Sequence, residues 1–395
     1  MTKSLRGEQP TARLAGSAGF SLIELAVAMA VFLVVSITSF TLFSRHEALL
    51  SQEQGIAGLN IGLRNALAQL QIDVVNAGSG QIMGPNVPAW PVGVTIINSN
   101  PATACNITTT NPPQYTASCF DQLNVVMVDA NTPPIQPTNL CTSPMSTSTG
   151  TTVVGTIPTV INPATGSNWT NAQVAAKYLS GDQVLFVKGT VSGTAYLYTT
   201  AVLSAAGSVS ASPAGVQLTF HSTLAGGSNT NGSPPANDPI SMTINAPASE
   251  LTDTYCSTDF ILRLQPIKYS VSVTNAKDPA LMRTQSGTTS TVMDQVIGFK
   301  VGAATWNSSN SSSNFEYCYN NTITTAAYCD APNNSIFGYG SDYTLVRSVR
   351  VTIIGRTTPS TDPLYTYRNP FDGGAYQIRG SSIVVDPRNL TMNND

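Results

Sequence analysis

Residues 20–44 carry one ionisable side chain, Glu24, and no proline interrupts the chain from Phe20 to Gly84. This run constrains the fold more than any other feature. As a helix it would span about 37 Å, against a hydrocarbon core of about 30 Å. Arg45, His46 and Glu47 end it, and Lys3, Arg6 and Arg13 precede it. The positive-inside rule then predicts a cytoplasmic N-terminus and an extracytoplasmic remainder. An ordinary secretory signal has its small-residue cut site after the apolar core. Here the small residues, Gly16-Ser17-Ala18-Gly19, come before it. A cut at Gly19 would fall on the cytoplasmic side and leave the apolar segment attached.

The helical pattern continues past the apolar run. Leu49, Ile56, Leu59, Leu63, Leu67, Leu70 and Val74 recur at helical steps. Gln52, Glu53, Asn60, Arg64, Gln69 and Asp73 fall largely between them, which is the pattern of an amphipathic helix. One helix over residues 21–76 is predicted, ended by Ala77-Gly78-Ser79-Gly80. Gly55, Gly58 and Gly62 loosen its middle and could allow a bend.

Beyond Gly80 the period changes to short β runs separated by Pro, Gly, Asn and Ser. The predicted strands cover residues 123–128, 184–188, 195–203, 216–220, 260–273, 292–301, 345–354 and 376–385. In the 345–354 run the arginines are expected to point outward. Ser/Thr/Asn-rich stretches at 138–152, 226–238 and 307–314 read as exposed loops. The predicted class is α+β, a long N-terminal helix packed on an antiparallel β-sheet with long loops. The predicted segments are 1–19, a cytoplasmic leader; 20–44, a transmembrane helix; 45–77, its amphipathic continuation; and 78–395, a β-rich extracytoplasmic body. Composition marks 130–180 as a candidate insertion.

Charged residues make up only 10% of the chain, and the net charge is −3. Setting aside Lys3, Arg6, Arg13 and Glu8 leaves 15 basic and 20 acidic residues. That balance argues against a general electrostatic grip on nucleic acid. All six cysteines, Cys105, Cys119, Cys141, Cys256, Cys318 and Cys329, follow the apolar segment. An even number in that position predicts disulfides in an oxidising compartment. Proximity favours Cys105–Cys119 and Cys318–Cys329, which leaves Cys141–Cys256 as a long-range staple; other pairings stay open.

No constellation of catalytic residues emerges. His46 stands at the membrane boundary and His221 lacks an acidic or cysteine neighbour. No nucleophile elbow, phosphate loop or zinc signature is present. Asp182 and Asp372 are isolated, and Asp330 and Asp342 with nearby asparagines read as turn residues more readily than as a cation site. Phe315, Tyr317, Tyr319 and Tyr328 fit core packing better than a binding surface. The expectation is a non-enzyme without metal or cofactor.

Gly19-Phe20-Ser21-Leu22-Ile23-Glu24-Leu25 resembles the cleavage and N-methylation motif of type IV prepilins and type II secretion pseudopilins. The resemblance implies cutting after Gly19 by a prepilin peptidase/N-methyltransferase, methylation of Phe20, and a role for Glu24 in assembly. A carboxylate in lipid is expensive and is usually paired or functional. The family picture has Glu24 meet a neighbouring subunit's new amine; the local alternative has it favour the dipole at its own helix start. Many major pilins carry a proline midway through this helix, where this chain has Thr41. The late strands and the size resemble large minor pilins of the PilW type more loosely. The implied partners are other minor pilins and the major pilin in the inner membrane and pilus. The alternatives are a J-like pseudopilin at a secretion pseudopilus tip, and a tip adhesin or DNA-uptake pilin.

Overall fold

The computed structural model describes residues 21–80, 93–97, 113–146, 152–187, 198–220, 254–285, 287–307, 312–316, 346–361, 365–371 and 373–387. Helix α1 is Leu22–Val75, about 81 Å long at 1.5 Å per residue. It is continuous through Thr41 and through all three glycines. The structure divides into two compact units at Gln54. The first holds the helix up to that residue, and none of those side chains is buried. The second holds Gly55 onward, and there Leu59, Leu63, Ala66, Leu67, Leu70, Asp73 and Val74 are buried. Their three- and four-residue steps put them on one face. Nothing lies within 4 Å of where a Cβ would stand at Gly58. Gly58→Ala is therefore expected to stabilise by about 1 kcal/mol through helix propensity, read as a rise in thermal midpoint.

The strands follow in order. They begin with β1 Val94–Ile97, β2 Gln122–Val128, β3 Gln136–Pro137, β4 Met145–Ser146 and β5 Thr152–Thr156. After a short helix α2, Asn171–Ala175, come β6 Gln183–Val187, β7 Tyr198–Val202, β8 Ser208–Ala211 and β9 Ala214–Thr219. Next are β10 Thr254–Tyr255, β11 Phe260–Ser272, β12 Ala280–Gln285 and β13 Thr288–Met293. The last are β14 Val296–Asn307, β15 Ser312–Glu316, β16 Val346–Arg356 and β17 Ile378–Val385. The ladders pair antiparallel throughout. The long helix on antiparallel sheets is the α+β class that the patterning predicted.

The main sheet runs β1-β2-β11-β12-β13 and carries β6 and β7 on the other part of β11. A second sheet runs β15-β14-β16-β17. The buried face of α1 packs with both in one core: Leu63, Leu67 and Leu70 join Leu123, Val125, Tyr269, Leu281, Phe299, Val351 and Ile353. A second core is separate. It gathers Ile135, Val153, Tyr178, Val184, Phe186, Val216, Phe220, Tyr255 and Ile261, around the sheet β3-β5-β9-β8.

Strand β11 belongs to both cores. Phe260–Arg263 pairs with β6, and Leu264–Tyr269 pairs with β2 on the other edge, where Ile135 also bridges Ile261. Thus β2 and β6 flank one 13-residue strand on opposite edges.

Several expectations are corrected. The strand expected over 292–301 is broken at Asp294-Gln295, where Gln295 has φ 55°; Gln295 accepts from the Arg356 N–H and the Val296 N–H donates to Pro279 O, fixing the turn. The stretch 307–314 was expected as an exposed loop, but Asn307 ends β14 and 312–314 open β15. The stretch 138–152 contains β4 and the first residue of β5. Residues 226–238 lie outside the described residues. The strand runs two residues past the expected 345–354 run, to Arg356, which is 1% exposed.

Candidate functional site

The exposed first unit of α1 is long and apolar enough to cross a membrane. Phe32, Phe40 and Phe43 are more than two-thirds exposed. Three hydroxyls between Thr38 and Ser44 turn back on the helix. Thr38 donates to Val35 O at 2.8 Å, Thr41 to Thr38 O at 2.8 Å and Ser44 to Phe40 O at 2.9 Å. Satisfying polar groups within the segment is what a bilayer demands.

Glu24 occupies the first turn of the helix. The Ser21 N–H donates to Glu24 Oε2 at 3.0 Å, and the Glu24 N–H donates to Ser21 Oγ at 3.3 Å. This reciprocal pair is a capping box. Within the isolated chain the carboxylate therefore has a local partner, and it satisfies one of the helix's orphan donors. Gly19 and Phe20 lie outside the described residues. His46 is exposed.

At the other end of α1, Asp73 fixes the helix to the main sheet. Arg283 of β12 donates from Nε to Asp73 Oδ2 at 2.7 Å and from Nη2 to Oδ1 at 3.2 Å. Tyr269 of β11 donates its hydroxyl to the same Oδ2. Burial, and then the adjacent carboxylate, push the Tyr269 phenol well above its ordinary value, so it stays a donor. An aspartate in a last helical turn opposes the dipole; the guanidinium fork offsets that here.

A second knot was not legible in the sequence. Arg263 of β11 donates from Nη1 to Asp129 at 2.6 Å and from Nε to Asp182 at 2.8 Å. Asp129 follows β2 and Asp182 precedes β6, so Arg263 ties the end of β2 to the start of β6 across β11. Burial pushes the Asp129 carboxyl up, but donors from Thr132, the Asn131 N–H and Arg263 outweigh it and hold it below its ordinary value. Its contribution to stability is present above the unfolded carboxyl value of about 4 and is lost as pH falls through the lower folded value. Urea midpoints measured from pH 6 to pH 2 should fall less steeply on the acid side in Asp129→Asn than in the wild type. Asp182 looked isolated because its partner stands 81 residues away.

Two further buried groups complete the frame. Asp121 accepts from Lys300 Nζ at 2.8 Å and from the Val301 N–H at 2.9 Å. Arg356 donates to Gln295 Oε1 at 2.7 Å and to Lys277 O at 2.8 Å, and lies over the Tyr376 ring. These arrangements hold elements together; none presents a nucleophile beside a base.

Cys141 and Cys256 form a disulfide, and Cys119 is disulfide-bonded. Cys105, Cys318 and Cys329 lie outside the described residues, as do His221, Asp330, Asp342, Asp372, Tyr317, Tyr319 and Tyr328. Phe315 is in β15.

Comparison with protein families matches residues 14–40 to the prokaryotic N-terminal methylation motif. Comparison with curated proteins returns no match. Among solved structures, a type IV-like pilin from Thermus thermophilus is similar at 11% identity and a TM-score of 0.16, covering 56% of this chain and 94% of that one. The matched motif implies processing by a prepilin peptidase. The chain thus carries the methylation motif at the head of an exposed apolar helix long enough to cross a membrane.

Proposed function

We propose that this chain is a non-catalytic minor pilin, made as an inner-membrane precursor with a cytoplasmic N-terminus and processed before joining a pilus. The observation that carries the reading is the methylation motif over residues 14–40 leading into a helix with no buried side chain before Gly55. A prepilin peptidase cuts after Gly19, Phe20 is methylated, and the apolar helix passes from lipid into contact with other pilins. Glu24 meets the amine of a neighbouring subunit, exchanging its partner in the capping box for a charged one. The large body with its second core favours a rare position, in a priming or tip complex, over a repeating one.

The test combines deletion and two variants, with fibres imaged and processing followed by mass. Gly19→Ala should abolish cleavage. Glu24→Val should be cleaved and yet fail to enter fibres; normal incorporation would remove the role given to that carboxylate. Deletion should reduce fibre number, and the subunit should be far below the main pilin in purified fibres. Intact fibres with lost protein secretion would assign the chain to a secretion pseudopilus instead.

A further inference from the structure

The second core forms a lobe whose chain enters and leaves through one neck. The chain leaves the β1-β2-β11-β12-β13 path at the end of β2 and rejoins it along β11, and the Asp129 N–H donates to Arg263 O at 2.8 Å. Above that point the two chain segments are held by few contacts. Ile135 bridges Ile261, the Ser257 N–H donates to Asn139 O at 2.9 Å, and β4 pairs with β10 over two residues. The Cys141–Cys256 bond, with a sequence separation of 115, crosses the same neck. Core residues flank it directly, Met145 on one side and Tyr255 on the other.

The two halves of this disulfide differ. Cys141 is exposed, on a turn closed by the Ser143 N–H to Leu140 O. Cys256 is 8% exposed and rigidly placed: its N–H donates to Asp259 Oδ2 at 2.8 Å, and its carbonyl accepts from the Asp259 N–H at 2.9 Å. The Thr258 hydroxyl lies 3.3 Å from the Cys256 sulfur and 3.6 Å from the Cys141 sulfur. Neither bonded sulfur carries a proton, so the hydroxyl is the donor. An incoming thiolate has access to the Cys141 sulfur, and the hydroxyl is already aimed at the sulfur that would leave.

We propose that Cys141–Cys256 is a redox-sensitive latch, whose reduction opens the second lobe while leaving the helix-bearing core folded. The reductant is a dithiol, either a small molecule or a dithiol oxidoreductase. One of its thiolates attacks Cys141 Sγ, the S–S bond breaks, and Cys256 leaves as a thiolate that accepts the Thr258 hydrogen bond and then a proton. The second thiol of the reductant, as its thiolate, displaces the Cys141 sulfur from the mixed disulfide. The reductant ends as a disulfide and the protein as two thiols. The freed Cys141 turn then moves, and Met145 and β4 lose their tether to β10.

The experiment uses the full chain in detergent, titrated with dithiothreitol, with differential alkylation of each cysteine and hydrogen exchange of backbone amides. Cys141 and Cys256 should become alkylatable before Cys119, which is 9% exposed. Exchange in Gln183–Val187 and Ala214–Thr219 should rise about tenfold or more, while Ile267 to Val271 of β11 and Val349 to Ile353 of β16 stay protected. The Cys141→Ser/Cys256→Ser double variant should reproduce that pattern without reductant. Thr258→Val should slow reduction several-fold and leave exchange of the oxidised protein unchanged. Reduction of Cys119 first, equal loosening of both cores, or no change in the lobe would each overturn the proposal.

Discussion

Asp73→Ala should lower the unfolding free energy by about 3–5 kcal/mol, the range for breaking a buried ion pair from one side. The loss does not come from the missing carboxylate alone. The Arg283 side chain is 18% exposed, so its charge would remain half-sheltered without a counter-ion. The Tyr269 hydroxyl, on a residue that is 0% exposed, would lose its acceptor, and an unsatisfied buried donor costs about 1–3 kcal/mol. Asp73→Asn separates the contributions: it keeps an acceptor for Tyr269 and removes only the charge, so its loss should be smaller. Urea unfolding of the full chain in detergent measures both. Equal losses in the two variants would mean that the charge alone, and not the acceptor for Tyr269, anchors the helix end.

Arg356→Met should be next in size, at about 3 kcal/mol or more, because a charged donor bonded to a neutral acceptor is worth about 1.5–3 kcal/mol. Methionine keeps much of the stem's volume but returns nothing to Gln295 Oε1 and Lys277 O, and the stacking on Tyr376 is lost with it. The turn at Gln295, with its positive φ, depends on Arg356 through both a backbone and a side-chain bond. A second effect should therefore accompany the first: amides of Gln295 and Val296 should exchange faster in the variant than those of β16. Arg356→Lys should recover little, since one ammonium cannot reach the same acceptors as the guanidinium fork.

The helix was legible because its information is local. The apolar run, the absent proline and the steps from Leu59 to Val74 placed it within a residue at either end, and Ala77-Gly78-Ser79-Gly80 marked its stop. Strands β2, β6, β11 and β16 were legible from dense Val, Ile and Leu runs. Strands β5, β8, β12 and β13 were not. Their sequences are rich in Thr, Ser, Gly and Gln, and they become strands because a neighbour supplies the ladder, as Thr288 to Met293 pair with Gln285 to Leu281. The break at Gln295 was hidden because nothing in a Met-Asp-Gln-Val sequence announces a left-handed residue. At the candidate site, Glu24 stood out as a charge in an apolar run, and its Ser21 partner follows the capping spacing. The Arg263 and Asp73 knots join residues 81 and more positions apart, beyond the reach of any periodicity.

The sharing of β11 between the two cores has a consequence for how the chain is made. Val128 of β2 pairs with Leu264 of β11, 136 positions further on. At about 5–20 residues per second, synthesis leaves on the order of ten seconds between them. During that interval α1 and β2 have emerged, but the strand that completes their sheet has not been translated. Val125 and Val126, which end at 1% exposure or less, wait uncovered on a nascent chain. Most of the second lobe emerges in the meantime, yet its core also lacks Tyr255 and Ile261 until the same stretch arrives. Closure of both cores therefore hangs on one late event, the arrival of residues 254–272, and the interval before it is when this protein most needs a holding chaperone.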